Sequence, residues 1–248
     1  MTSAEPGIVR RARVSTTMDA LHELAAGGAP AGTAVVADEQ SDGRGSRGRA
    51  WSSPRGGLWL SVLARPPAAT MELVSLRAGL AVADALDAAG TGVGLRLKWP
   101  NDLMLGERKA GGILCEARWQ GASPGWVVIG LGLNVLNHPG DGLDDLATNL
   151  SSVSPDLTPA ELVLPVVRAL RTVDAAGSPL TADERDRLAR RDWLLGRTLA
   201  APASGTADGL EADGALRVRR ADGTIATVRA GTVVVAETSA TADLRPCS

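Results

Sequence analysis

Residues 58 to 64 alternate with almost nothing polar among them: Leu58, Leu60, Val62 and Ala64 fall on one face, Trp59, Ser61 and Leu63 on the other. A two-residue period with both faces apolar predicts a strand covered on each side. Upstream, "MDALHELAAGG" predicts a short helix ended by glycine, and "GTAVVADEQ" a short strand. "MELVSLRAGLAVADALDAAG" sets Leu73, Leu76, Leu80 and Ala83 along one helical stripe and stops at a glycine. "VGLRLKW", "KAGGILCEARW" and "GWVVIGLGLNV" predict further strands, with "PNDLM" as a turn after the first. From Thr158 the pattern turns helical, with Pro159 at a first helical position. A second helix offers Asp183–Arg187 and Asp186–Arg190 as pairs four apart, and its charge run reads as a solvated face. After Gly196, Ala-Asp-Gly occurs three times, and Leu216 and Val218 alternate with Arg217 and Arg219, which predicts hairpins. The class is α+β: a mixed sheet with flanking helices over 1–195, a small antiparallel β unit over 196–240, and a tail over 241–248.

Composition narrows the chemistry. The chain has 248 residues, 44% of them hydrophobic, but no Phe and no Tyr, so Leu, Val and Ala must fill the core around six tryptophans. The net charge of −2 gives no global attraction to nucleic acid or an anionic membrane. Cys115 and Cys247 lie far apart, and His22 and His138 form no metal-binding spacing, so a reduced cytoplasmic protein without a protein-held metal is expected. No apolar run is long enough for a signal peptide or a membrane span.

"DGRGSRGRAW" (42–51) then stands out, with three arginines among three glycines before a tryptophan. Gly43, Gly45 and Gly48 match G-x-G-x-x-G, yet a dinucleotide fingerprint must open a helix, and "RAWSSPRGG" is no helix. An RNA-binding arginine-glycine tail would be repetitive, whereas this segment is a single copy between two strand candidates. A plain linker explains neither the arginine spacing nor the motifs further on. A mobile loop whose arginines and backbone N–H groups meet an anion on closing explains both.

"DEQSDGRGSRGRAWSSPRGGLWLSV", "KWPNDLM", "KAGGILCEA" and "VVIGLGLNV", in this order, resemble the catalytic core of the biotin protein ligases. "VSTTMDAL" resembles that family's Ser-Thr-Asn segment and "ATNL" its later Ala-Thr-Ser-Leu turn. The resemblance implies the biotin/lipoate ligase type of core and a small SH3-like β-barrel at the C-terminus. It implies ATP and Mg2+ as requirements, biotin as substrate, and a lysine of a biotin carboxyl carrier protein or domain as acceptor. The chemistry would pass through biotinyl-5′-AMP. Relatives occur as monomers and as dimers through a sheet edge, so a homodimer stays open.

Roles follow residue by residue from the resemblance. Lys109 would bridge the biotin carboxylate and the α-phosphate. Lys98 would face the phosphates, and Asp102 would orient positive groups or meet magnesium through water, with a turn-capping role as the alternative. Arg44, Arg47 and Arg49 would belong to the covering loop, Arg44 with a catalytic role and a contact to biotin, Arg47 and Arg49 with Gly48 against the adenylate. Gly43, Gly45 and Gly48 would bend the loop, Gly43 and Gly45 beside biotin, and Trp51 would pack over the ligand. Ser15, Thr16 and Thr17 would hydrogen-bond the biotin ureido ring. Gln40 and Gly112 would also contact biotin. Asn101, Gly130, Gly132 and Asn134 would flank the nucleotide, with Asn134 reading adenine's amino edge. Trp99 reads as core.

Some positions depart from the family pattern. Ser46 stands where many relatives have arginine, which would loosen retention of the adenylate. Thr17 replaces an asparagine, Asp42 adds a negative charge beside the loop, and Gly111 replaces a common alanine, expected to be harmless. A lipoate or octanoate ligase or transferase is the alternative enzyme, disfavoured by the "GRGxxGRxW" and "KWPND" strings. A biotin-responsive DNA-binding repressor is the alternative of another class; the 14 residues before Ser15 are too few for a helix-turn-helix, and no nucleic-acid or membrane partner is expected.

Overall fold

A computed structural model describes residues 7–66, 68–121, 123–140, 142–173 and 177–236. The tail assigned to 241–248, with Cys247, lies outside the described residues. A seven-stranded sheet is built from β1 (Ile8–Val14), β2 (Ala34–Gln40), β3 (Leu58–Ala64), β4 (Arg96–Lys98), β5 (Asp102–Leu105), β6 (Arg108–Gln120) and β7 (Ser123–Leu133). Its order is β1-β2-β3-β7-β6-β5-β4, with only the β1–β2 pair parallel. Four helices accompany it: α1 (Thr17–Ala26), α2 (Val74–Ala88), α3 (Pro159–Leu170) and α4 (Ala182–Arg191). A five-stranded antiparallel sheet follows, from β8 (Thr198–Ala201), β9 (Gly205–Leu210), β10 (Leu216–Arg219), β11 (Ile225–Val228) and β12 (Val234–Val235), in the order β11-β10-β9-β8-β12.

Strand β3 is buried along its whole length, as its two apolar faces require. Leu58, Leu60, Val62 and Ala64 join the large core under α2 and α3, while Leu63 packs with Val35 and Val128 against Met18, Leu21 and Ala25 of α1. The predicted α2 stripe is buried, although the helix itself begins at Val74 after a 3₁₀ turn over Ala68–Leu73. Leu199, Ala207, Leu216 and Val218 of the second sheet belong to the same core as the first. Trp99, buried as expected, donates from Nε1 to the Gly214 carbonyl at 2.9 Å and so ties the two sheets together.

The structure departs from the sequence pattern at four places. "PNDLM" is a turn only as far as Asn101; Asp102, Leu103 and Met104 begin β5. β1 has no legible signal, because "IVRRARV" presents four exposed side chains at a sheet edge and carries no clear alternation. The first Ala-Asp-Gly (207–209) lies inside β9 rather than in a turn; only the second and third form the hairpin turns. The α4 charge run is not simply solvated. Asp183–Arg187 forms, but Arg187 and Arg191 also reach Asp84, and Arg191 reaches Asp87, which clamps α4 on α2.

The same helix pair holds a deeper ion pair. Arg77 is only 5% exposed, and its Nε and Nη2 meet the Glu184 carboxylate at 2.6 and 3.2 Å. Removing one partner of a buried pair leaves a charge without compensation. Glu184→Ala is therefore expected to cost about 3 kcal/mol in urea unfolding. An Arg77→Met/Glu184→Leu double variant should recover most of that loss.

Candidate active site

The sheet register gathers motifs that lie far apart in the chain. Across five neighbouring strands, Trp59, Gly132, Gly112, Asp102 and Lys98 form one row, each paired with the next. At the Asp102 end, the β5–β6 register slips between Leu103 and Met104, so that Leu103 faces Gly111 but Met104 faces Lys109. In an unbroken strand, residues three apart point to opposite faces. The bulge puts Lys109 on the Gly112 side instead: its Nζ lies 3.5 Å from where a Gly112 Cβ would stand. There its ammonium pairs with the Asp102 carboxylate and sits 5.1 Å from the centre of the Trp51 ring. The Lys109 backbone is bonded to a second segment as well. Lys109 N–H donates to the Leu146 carbonyl, and its carbonyl accepts from Thr148 N–H.

Beside Lys109 opens a cavity of about 320 Å³. Thr16, which caps α1, and Thr17 and Met18 within it line one part, and Gly130, Gly132 and Gly112 of the sheet form its floor. Thr17 is held from two sides: its N–H donates to Gln40 Oε1 at 2.8 Å, and its hydroxyl lies 2.8 Å from that of Ser61. Gln40 Nε2 donates in turn to Ser53 Oγ, so the amide is fixed at both ends. Polar groups locked by packed neighbours suit a site that must hold a small neutral head in one orientation.

Over the cavity stands the arginine-glycine segment, folded as a hairpin in which Arg44 pairs with Ala50 and Gln40 with Ser53. Gly43 is buried beneath it, where a Cβ would come within 2.4 Å of the Trp51 carbonyl and 2.5 Å of Ser53 Oγ. Arg47 sits at the tip in the left-handed region (φ 62°) and is exposed. Trp51 drops from the hairpin against the strand floor. A Cβ on Gly132 would stand 2.6 Å from its Nε1, so the indole occupies the space that the missing side chain leaves. That indole N–H is buried without a hydrogen-bond partner among the described residues.

The cavity wall contains Thr16, Thr17, Gln40, Arg44, Gly45, Arg49, Trp51, Asn101, Lys109, Gly112, Gly130, Gly132 and Asn134. Ser15, Gly43, Arg47, Gly48, Lys98 and Asp102 do not line it; Asp102 connects to it through Lys109. Lys98 stands instead 5.3 Å from the Trp193 ring, on which Arg197 also stacks at 3.7 Å. Burial lowers the Lys98 pKa, and the nearby Lys109 and Arg197 charges add to this against the opposing pull of Asp102. The Asn134 amide braces the loop after β7: Nδ2 donates to the Thr148 carbonyl and Oδ1 accepts from Asn137. These bonds use one N–H and one lone pair of the amide. Gly111 is also more than a harmless variant, since a Cβ there would meet the Gly132 carbonyl at 2.6 Å.

Sequence reasoning did not find Leu143 and Leu146, which close the cavity beside Lys109 together with Ala147 of the "ATNL" turn, nor Asp19 and Glu116, which hold Arg44. The first two come from a loop without periodicity. Asp19 had one legible signal, an acid in the first turn of a helix.

The model of the biotin/lipoate A/B protein ligase family matches residues 11–134, half of the chain and nearly all of the motifs above. The chain belongs to that family. A biotin–[acetyl-CoA-carboxylase] ligase of Paracoccus denitrificans is 33% identical over 199 residues, covering 75% of this chain and 83% of that protein. The bifunctional ligase/repressor BirA of Bacillus subtilis is 40% identical over 147 residues, covering 57% of this chain; the match spans 45% of the length of that relative. Among solved structures, the Aquifex aeolicus biotin protein ligase in complex with biotin and ATP superposes with a TM-score of 0.76 at 27% identity, covering 94% of this chain and 99% of that one.

In this ligase-family fold the fit of Trp51 to Gly132 can be tested without any ligand. Gly132→Ala should displace the indole and cost about 1–3 kcal/mol in urea unfolding, the usual range for overpacking. In a Trp51→Ala background the same change should cost almost nothing.

Proposed function

We propose that this protein joins biotin to a lysine of a biotin carboxyl carrier protein or domain, using ATP and passing through biotinyl-5′-AMP. One observation carries the reading: a fixed ammonium, Lys109, and the cationic lid hairpin face a single cavity of about 320 Å³. The ATP-bound and biotin-bound state of the Aquifex aeolicus relative supports the choice of both substrates.

In the first half-reaction a biotin carboxylate oxygen attacks the α-phosphorus, and the bond to the leaving pyrophosphate breaks. Two anions must approach, so positive groups set in place beforehand do most of the work. Lys109, held by Asp102 and facing Trp51, is the group that meets both reacting oxygens. Thr16, Thr17 and Gln40 orient the neutral ring system at the α1 end, and Arg49 and the hairpin cover the anhydride from water. In the second half-reaction the acceptor amine attacks the acyl carbon, and AMP leaves with the bonding electrons. The amine must first lose a proton, since its free pKa is about 10.4. Asp102 is the carboxylate next to Lys109 and is the base we assign.

Mg2+ would enter with the triphosphate. Among the described residues no group of three or more His, Cys, Asp or Glu side chains is arranged to hold a metal. One carboxylate, Asp102, together with phosphate oxygens and water is the donor set that Mg2+ commonly takes. An ATP-dependent reaction on a carrier protein, with Cys115 as a free thiol, suits the cytoplasm.

Lys109→Ala should lower adenylate formation at least 100-fold, the order seen when a preorganised charge donor is removed. Biotin-dependent ATP–pyrophosphate exchange measures this; undiminished exchange removes Lys109 from the chemistry, and exchange driven by lipoate instead of biotin reassigns the substrate. Ser46 leaves one arginine fewer on the cavity side of the lid than many relatives have. Ser46→Arg should therefore slow release of biotinyl-5′-AMP about tenfold, as one added charge-assisted contact would. Equal release rates in a trapping assay would refute it.

A further inference from the structure

Arg44 lines the cavity, yet its charge is directed elsewhere. Its guanidinium forks onto Asp19, Nη1 to Oδ2 and Nη2 to Oδ1, both at 2.8 Å. Nη2 also reaches Glu116 Oε2 at 3.3 Å. Glu116 is itself held: His22 Nε2 lies 3.3 Å from the same oxygen, and His22 Nδ1 accepts from Trp126 Nε1 at 3.0 Å. An indole N–H can only donate, so the neutral ring of His22 carries its proton on Nε2 and gives it to Glu116. His22 is buried, and burial, followed by the Arg118 charge, lowers its pKa and favours that neutral form.

The chain of contacts runs from β7 through α1 and β6 to Arg44, which pairs with Ala50 near the start of the 43–51 segment. These three elements form the packed wall of the cavity, whereas the hairpin tip at Arg47 and Gly48 is exposed. A guanidinium forked onto one carboxylate and touching a second keeps fewer donors for an incoming anion; only its Nε stays buried without a hydrogen-bond partner among the described residues. It does have a planar fork, which fixes the backbone that carries it.

We propose that Asp19 and Glu116 are positioning residues of the lid: through Arg44 they latch the base of the 43–51 hairpin to α1 and β6. The cationic lid thereby turns about an anchored base, and retention of the adenylate depends on two carboxylates outside the cavity wall. The hydrogen bond to Arg44 also keeps the Asp19 carboxyl below its usual pKa, in line with a pair that is formed at neutral pH. The proposal rests on the biotin-adenylating reading of the site.

Two measurements separate the latch from that reading. Without any ligand, hydrogen exchange of residues 43–51 should quicken in Asp19→Asn and Glu116→Gln, with the core of α1 unchanged; unchanged exchange in the hairpin overturns the latch whatever the protein catalyses. With biotin and ATP, both variants should release biotinyl-5′-AMP about tenfold faster, the effect of losing one charge-assisted pair. Adenylate formation at saturating substrates should stay within about twofold, since only interactions special to the transition state alter that step. Asp19→Glu, which keeps the charge, should restore much of the retention, and Asp19→Asn should add nothing to Arg44→Gln. An equal loss in adenylate formation, or additive effects in the double variant, would show Arg44 acting on the reacting anions and would overturn the proposal. A wild-type protein that forms no adenylate but shows the exchange effect would remove the reading of the site and keep the hairpin anchor.

Discussion

The structure turns on the placement of one ammonium group. Lys109 belongs to a strand whose regular pleat would aim it away from the cavity, and a single extra residue in the ladder reverses that. The Lys109 backbone is anchored at the same time: its N–H donates to the Leu146 carbonyl and its carbonyl accepts from Thr148 N–H. The segment from Leu146 to Thr148 also brings Leu146 and Ala147 to the cavity wall. One residue thus carries the charge at the cavity and, through its backbone, holds the loop that closes one side of it.

Around that charge the other cations divide by what holds them. Arg49 lines the cavity and leans on Ser46 through its Nη2, at 3.2 Å from the hydroxyl. Arg44 is committed to carboxylates, Arg47 is exposed at the tip, and Lys98 rests near Trp193. A resemblance in sequence assigns all of these to anions alike. Their surroundings give them different tasks, because a cation already paired in a partly dry site gains less from a second anion than a free one does.

Glycines do the complementary work on the floor. Gly132 leaves room for the Trp51 indole, Gly43 lets the hairpin base lie against the Trp51 carbonyl, and Gly111 lets β6 close on β7. Each excludes a side chain at a named atom, so none is merely a flexible point. The second sheet shares the apolar core of the first, and Trp99 reaches across with a hydrogen bond, so the strand row that carries Lys98 and Asp102 is backed from behind.

The alternation at 58–64, the stripe of α2 and the glycine and proline signals at helix ends were legible in the chain because they are local: period and capping depend on neighbours a few residues away. The arginine-glycine lid, Lys109 and the glycine pairs were legible as motifs, and the fold does bring most of them to one cavity. Tertiary structure alone decided the rest. The edge strand Ile8–Val14 exists because β2 offers it a ladder, not because its own pattern demands one. The bulge that turns Lys109, the partners that hold Arg44 and the Asn134 amide, and the leucines of the 143–147 loop all depend on groups brought together from distant parts of the chain. A linear sequence records which groups are present; which of them are already paired is set only when the sheet register and the packing are in place.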